Sequence, residues 1–166
     1  LARVRTLYGA DGARAGSLLA GLVAFLRAAL PHDAAEASTL ARELELVRAY
    51  LAVRQQRPGD EVLEVHAGPA ALNEGYPPHV LLPAIQVLLD AARAAPARIR
   101  VEIDEAPGAR VLRLTTPEPW ASTPDVDDIR ARLRALYGDA ARLTPGGQAA
   151  EAAALAISLP EEPADP

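Results

Sequence analysis

Histidine is the side chain here best able to take a metal or a phosphoryl group, and the chain has three: His32, His66 and His79. They are far apart and lack patterned acidic neighbours, so they give no metal-ligand spacing. The serines Ser17, Ser38, Ser122 and Ser158 fall in no nucleophile-elbow pattern. Cysteine is absent, which removes disulfides, thiolate zinc sites and cysteine nucleophiles. Gly146-Gly147 reads as a hairpin turn rather than a phosphate loop. What remains is carboxylate: Asp90 within an apolar helical pattern, Glu118 in a loop, and Asp125, Asp127 and Asp128 where a helix begins. No catalytic residue and no metal site is expected from these groups.

The composition bounds what could position them. A chain of 166 residues, 50% hydrophobic but only 4% aromatic, supports one full core with an appendage, and its many alanines favour closely packed helices over strands. The formal charge is -5, with arginines dispersed among acids, so no nucleic-acid partner is expected. Ser17 to Leu30 is apolar but interrupted by Gly21 and Arg27, too short to span a bilayer. The chain starts at Leu1 without any methionine, which suggests a piece of a longer protein. A cytoplasmic domain is expected, with membrane attachment of the longer protein left open.

Periodicity gives the order of elements. Leu1, Val4 and Leu7 have helical spacing up to Gly9, and Ala13 to Leu30 carries a wide stripe of Leu18, Leu22, Phe25 and Ala29 flanked by Leu19, Val23, Leu26 and Leu30. Together they predict a helical hairpin whose stripe needs a partner surface. Ser38 or Thr39 caps a third helix with Leu40, Leu44, Val47 and Leu51 on one face. A strand follows at Glu61 to His66, then a turn to Gly75. Pro77-Pro78 opens a helix through Ala92 that holds His79 in its first turn. Arg98 to Asp104 and Arg110 to Thr115 alternate around a short turn, predicting a hairpin. After a loop holding Trp120, a helix runs from the three aspartates to Gly138. A short segment near Ala141 to Thr144, a turn at Pro145-Gly146-Gly147 and a strand ending at Pro160 complete the order. Glu161 to Pro166 is expected to be a disordered tail.

Three stretches carry a family resemblance. Glu43-Leu44-Glu45-Leu46-Val47-Arg48-Ala49-Tyr50-Leu51 with Arg57-Pro58-Gly59-Asp60, the proline-led Pro77 to Ile85, and Ile129 to Gly138 resemble motifs of the LytS/AlgZ branch of sensor histidine kinases. The resemblance covers Leu1 to Pro160 and implies an α+β fold: a two-layer α/β sandwich of the GHKL (Bergerat) ATP-binding type preceded by a helical hairpin. Residues 1–31 then correspond to part of the dimerisation and phosphotransfer helices, 39–160 to the catalytic-type domain, and 161–166 to the tail. A homodimer through 1–31 is implied, with a response regulator or other signalling protein as partner. The phosphoacceptor histidine falls before Leu1, since His32 lies past the second helix rather than on the first.

The same resemblance locates a nucleotide site and shows its motifs altered. The family's helix asparagine, which ligates the phosphate-bridging magnesium, and the glutamate before it fall on Val87 and Gln86. Valine has no oxygen to offer a cation. Asp90, three residues on, is the candidate substitute ligand. The adenine-reading aspartate falls on Thr116, followed by prolines in place of permissive glycines. The glycine-rich phosphate cradle falls on Thr123 to Asp128, where three carboxylates would repel a triphosphate. Trp120 is either a plug in the vacated pocket or a loop anchor. The expected function is a dimeric regulatory module of a two-component system, pseudokinase-like, with no cofactor. The rival is an active kinase that binds ATP and Mg²⁺ through substitute residues. A free-standing anti-sigma-type module would share the sandwich without needing the hairpin.

Overall fold

The computed structural model describes residues 12–30, 38–54, 61–91, 97–106, 109–117, 125–146 and 153–160. The expected helix at Leu1 to Tyr8, the loop residues Glu118 and Trp120, and the tail lie outside these. The described elements are α1 (Gly12–Ala29), α2 (Leu40–Arg54), β1 (Glu61–His66), α3 (Pro69–Asn73), α4 (Leu81–Ala91), β2 (Ala97–Ala106), β3 (Ala109–Thr116), α5 (Asp127–Tyr137), β4 (Arg142–Gly146) and β5 (Ala153–Pro160).

Strand order is β1-β2-β3-β5-β4. β1 runs parallel to β2 and the other pairs are antiparallel. A parallel pair needs a long crossover, and α3 and α4 supply it. Strict alternation gives the sheet one apolar face. Val65, Val101, Leu114 and Leu155 lie in one row across it, and Ile103, Leu112, Ile157 and Leu143 in the next. Against this face packs a helical layer in which Leu44, Val47, Leu81, Ile85, Leu88 and Leu133 are fully or almost fully buried. The opposite face is polar: Arg100 pairs with Glu64 at 3.5 Å and Arg113 with Asp104 at 3.0 Å. The expected two-layer α+β sandwich is therefore the observed one.

Several boundaries differ from the sequence reading for local reasons. Pro69 follows Gly68 and starts the short helix α3, which falls where only a turn is expected. α4 begins at Leu81, not at Pro77-Pro78. His79 has φ +58° and so stands outside the helix, whose first bond runs from the Ala84 N–H to the Val80 carbonyl. β4 continues through Pro145 and Gly146, which the sequence reading gives to a turn. Of the two cap candidates, Thr39 caps α2, its Oγ1 accepting the Arg42 N–H at 3.3 Å. Gly138 ends α5 with φ +59°, a conformation glycine adopts without penalty.

α1 packs on α2 of the same chain. The Phe25 and Tyr50 rings lie 6.2 Å apart, and Gly21 faces the same contact, where an added Cβ would make ordinary contact with Val53 at 3.4 Å. Leu18, Leu22, Phe25 and Ala29 are thus half-buried. Half of the stripe that asks for a partner finds one within the chain. Leu19, Val23, Leu26 and Leu30 remain 43%, 41%, 53% and 62% exposed.

One polar residue interrupts the buried face of α2. Glu43 is 4% exposed. Its Oε1 accepts the Ser38 hydroxyl at 3.0 Å and its Oε2 the His79 N–H at 3.1 Å. The Tyr76 N–H donates to the Ser38 carbonyl at 2.7 Å, and Leu40 N–H to Glu74 O at 3.3 Å. These bonds join the start of α2 to the segment that launches α4. Glu43→Ala strands two donors, each bond to such a group being worth about 1.5–3 kcal/mol. It should lower unfolding stability by about 3 kcal/mol, read as a lower denaturant midpoint at unchanged slope. Glu43→Gln, which keeps an acceptor, should cost less than half of that. A Glu43→Ala loss within about 0.5 kcal/mol would contradict this role.

Candidate functional site

The four site residues named from sequence sit on α4 and at the end of β3. Thr116 continues the inward alternation of Leu112 and Leu114, is 2% exposed and pairs with Ala153 of β5. It therefore faces the interlayer space across which α4 contacts β3 and β5. Val87 is half-buried and packs on the core cluster through apolar contact. Gln86 is half-buried beside it. Asp90, four residues beyond Gln86, turns to α2, where its Oδ1 meets Arg54 Nη1 at 3.1 Å with the Asp90 side chain 72% exposed. Thr116 is thus buried between the layers and Val87 packs at the margin of the core, while Asp90 is engaged with α2.

The start of α5 is occupied by its own acids. Asp125 Oδ1 accepts the Asp127 N–H at 3.2 Å, and Asp127 pairs with Arg130 at 3.3 Å. A helix N-terminus attracts anions through free N–H groups and its dipole. Here a carboxylate already takes one of those donors, and Asp127 and Asp128 fill the first turn. Arg132 of α5 donates from Nε to the Pro78 carbonyl at 3.1 Å, tying this helix to the segment ahead of α4.

Two clefts lie elsewhere. One of roughly 310 Å³ opens at the sheet's polar face between Glu64, Arg98, Arg100, Thr115, Thr116 and Pro117, sharing only Thr116 with the site candidates. The other lies between α5 and β4. Among the described residues no group of three or more His, Asp or Glu could hold a metal, and no helix is long and apolar enough to cross a membrane. His66 stands on the polar sheet face, 4.0 Å from Glu64. His32 lies outside the described residues.

The residues that shape this region and escape sequence reading are Glu43, Tyr76 and Arg110. Arg110 pairs with Glu74 and donates to the Gly75 carbonyl at 3.4 Å. The Tyr76 hydroxyl is buried and has no hydrogen-bond partner among the described residues. Burial foremost, then nearby Glu43 and Tyr137, pushes its ionisation well above the usual phenol range. Tyr137 is raised by burial, with Arg110 opposing the shift. The one signal for Glu43 is its position three residues after Leu40 and four before Val47, on a stripe otherwise apolar.

The geometry agrees with known histidine kinase structures. The chain matches Acinetobacter baumannii histidine kinase AdeS with a TM-score of 0.56 at 15% identity, over 88% of this chain and 80% of that one. It matches the catalytic domain of histidine kinase ThkA, in a nucleotide-free form, with a TM-score of 0.53 at 10% identity, over 75% and 92%. The Erythrobacter litoralis blue-light activated histidine kinase EL346 gives 0.54 at 10% identity, over 88% of this chain and 53% of that one. No protein-family profile and no curated protein matches by sequence. At these identities the likeness is one of fold: the chain has the fold of histidine kinase catalytic domains.

The buried Tyr76 phenol sets an alkaline limit on the fold. The folded state holds its proton more tightly than the unfolded chain, where a phenol titrates near pH 10. Its contribution is complete below that pH and is lost as pH rises above it, at up to about 1.4 kcal/mol per pH unit. Tyr76→Phe also removes an unpaired hydroxyl. It should unfold at or above the wild-type denaturant midpoint at neutral pH and lose distinctly less stability between about pH 10 and 11. Equal alkaline slopes in the two proteins would refute the assignment.

Proposed function

We propose that this chain is a signalling module of the histidine kinase type, LytS/AlgZ-like in its motifs, that has lost ordinary MgATP binding. It acts in a two-component system through dimerisation and contacts with a response regulator or another signalling protein, on the cytoplasmic side. The observation that carries this is a kinase-like scaffold with a nucleotide region changed at both ends. The motif resemblance assigns Val87 to the magnesium ligand's position and Thr116 to that of the adenine-reading carboxylate, and this reading is supported by the packing of Val87 on the apolar core and the burial of Thr116. At the phosphate end, Asp125, Asp127 and Asp128 place negative charge at the start of α5. Like charge a few ångströms from a triphosphate opposes binding unless a cation offsets it. Asp90 does not supply that cation site in the present arrangement, because it pairs with Arg54. Neither ATP nor Mg²⁺ fits these residues, so phosphoryl transfer is not assigned to this domain.

A thermal melt with millimolar ATP and magnesium tests the proposal. Ligand at about a hundredfold over its dissociation constant stabilises a fold by roughly 2.7 kcal/mol. For a domain of this size that is a shift of about 5–10 °C. The expected shift is below detection, and no single reversion, Val87→Asn included, restores it. A shift of that size abolished by Asp90→Ala or Thr116→Ala would favour the active kinase instead.

Dimerisation has its own observation. The exposed residues Leu19, Val23, Leu26 and Leu30 repeat at intervals of four, three and four, the seam spacing of a coiled coil. A second copy of α1 fits such a seam, and the partner of an isologous dimer is the same stripe. Light scattering should show a dimer at micromolar concentration that Leu19→Glu with Leu26→Glu converts to a folded monomer. A wild-type monomer, or a dimer indifferent to those changes, would remove this part of the proposal.

A further inference from the structure

The cleft at the polar face of the sheet takes no part in the function proposed above. It encloses roughly 310 Å³ and borders Glu64, Arg98, Arg100, Thr115, Thr116 and Pro117. Thr116 points the other way, into the interlayer. The strand register gathers the other polar side chains on one side. Ile99, Val101 and Leu114 are buried against the helices, so the alternate positions Arg98, Arg100 and Thr115 project from the outer face. Glu64 and Thr115 stand directly beside Arg100 on its two neighbouring strands, and Arg98 is two residues, about 6.6 Å, along β2. These groups are poorly satisfied by one another. Arg98 is exposed, and among the described residues neither it nor the Thr115 hydroxyl has a hydrogen bond or ion pair. Arg100 meets Glu64 at 3.5 Å and Glu102 at 4.0 Å, which leaves its N–H groups without a close acceptor. Two arginines against one glutamate make the cleft positive in a chain of net charge -5.

We propose that this cleft binds the free hydrogen phosphate ion. Guanidinium forks match the paired oxygens of a phosphate in shape and charge, and the Thr115 hydroxyl supplies a further donor. Glu64 decides which anion is taken. An ionised carboxylate only accepts hydrogen bonds, so it repels an anion that has no proton and accepts a bond from one that has. Sulfate has none at neutral pH. A phosphate ester, whose second ionisation falls at about pH 6, has lost its own by about pH 7.5, and nucleotides share that chemistry. Free phosphate keeps a proton throughout this range. The cleft therefore selects the ion over its esters, on the face of the sheet opposite the altered nucleotide region.

An NMR titration of the full chain with sodium phosphate at about pH 7.5 tests this, in a constant background of about 0.1 M chloride that screens long-range attraction. The Thr115 amide and the Arg98 Nε–H signals should follow one saturable curve. Arg98→Gln should weaken binding about tenfold, the loss of one charge-assisted bond. Arg142→Gln removes the same charge from an exposed position on β4, on the same face of the sheet, and should change binding less than about twofold. Sulfate and glycerol phosphate should bind the wild-type chain about tenfold more weakly than phosphate, and Glu64→Gln should abolish that preference. Shifts that stay linear, equal losses from Arg98→Gln and Arg142→Gln, sulfate or the ester binding as tightly as phosphate, or a preference that survives Glu64→Gln would each overturn the proposal.

Discussion

The arrangement of the helical layer depends on one buried carboxylate. Glu43 lies on the core face of α2, where burial without partners would be strongly unfavourable. It is tolerated because both oxygens are used, one by Ser38 and one by the backbone of His79. The second bond holds His79 at its positive φ, immediately before α4 begins. Around this point the Thr39 to Gly75 bridge, the Arg110 to Glu74 pair and the Arg132 to Pro78 bond add further ties. Helices α2, α4 and α5 and strand β3 are thereby connected through a single irregular segment, 74–80. The orientation of α4, and with it the placement of Gln86 and Val87, follows from that junction.

This separates the parts of the molecule that hold shape from those that would do chemistry. The sheet rows, the Leu44 to Leu133 core and the junction at Glu43 satisfy the ordinary criteria of burial and hydrogen bonding, the buried Tyr76 hydroxyl excepted. In the region to which the motif resemblance assigns nucleotide, Val87 packs as an apolar residue and the Asp125 carboxylate takes a backbone N–H at the start of α5.

Much of the fold was legible from sequence because it rests on period. The alternation in Arg98 to Asp104 and Arg110 to Thr115 gives β2 and β3, the three-to-four spacing of α2 gives its buried face, and the aspartates and Gly138 mark the ends of α5. What periodicity misses is local backbone geometry. α3 is only five residues long, too short for a helical repeat to register. The delayed start of α4 depends on Glu43, thirty-six residues away, receiving the His79 N–H. The division of the α1 stripe likewise required knowing that α2 lies on one side of it, since Leu18 and Leu19 are equally apolar as letters. Among the site candidates, the burial of Thr116 follows from strand alternation, whereas the turn of Asp90 toward Arg54 depends on helix packing. Trp120 and Glu118 fall outside the described residues.

The central claim is that a kinase-like scaffold persists here without a working nucleotide site. The most direct measurement is a heteronuclear NMR titration with magnesium and a non-hydrolysable ATP analogue, following the Gln86 side-chain amide and the Thr116 backbone amide. The account predicts that neither resonance moves at millimolar nucleotide. Saturable shifts at both positions, fitting one dissociation constant and requiring magnesium, would contradict it and return the domain to the nucleotide-binding kinases.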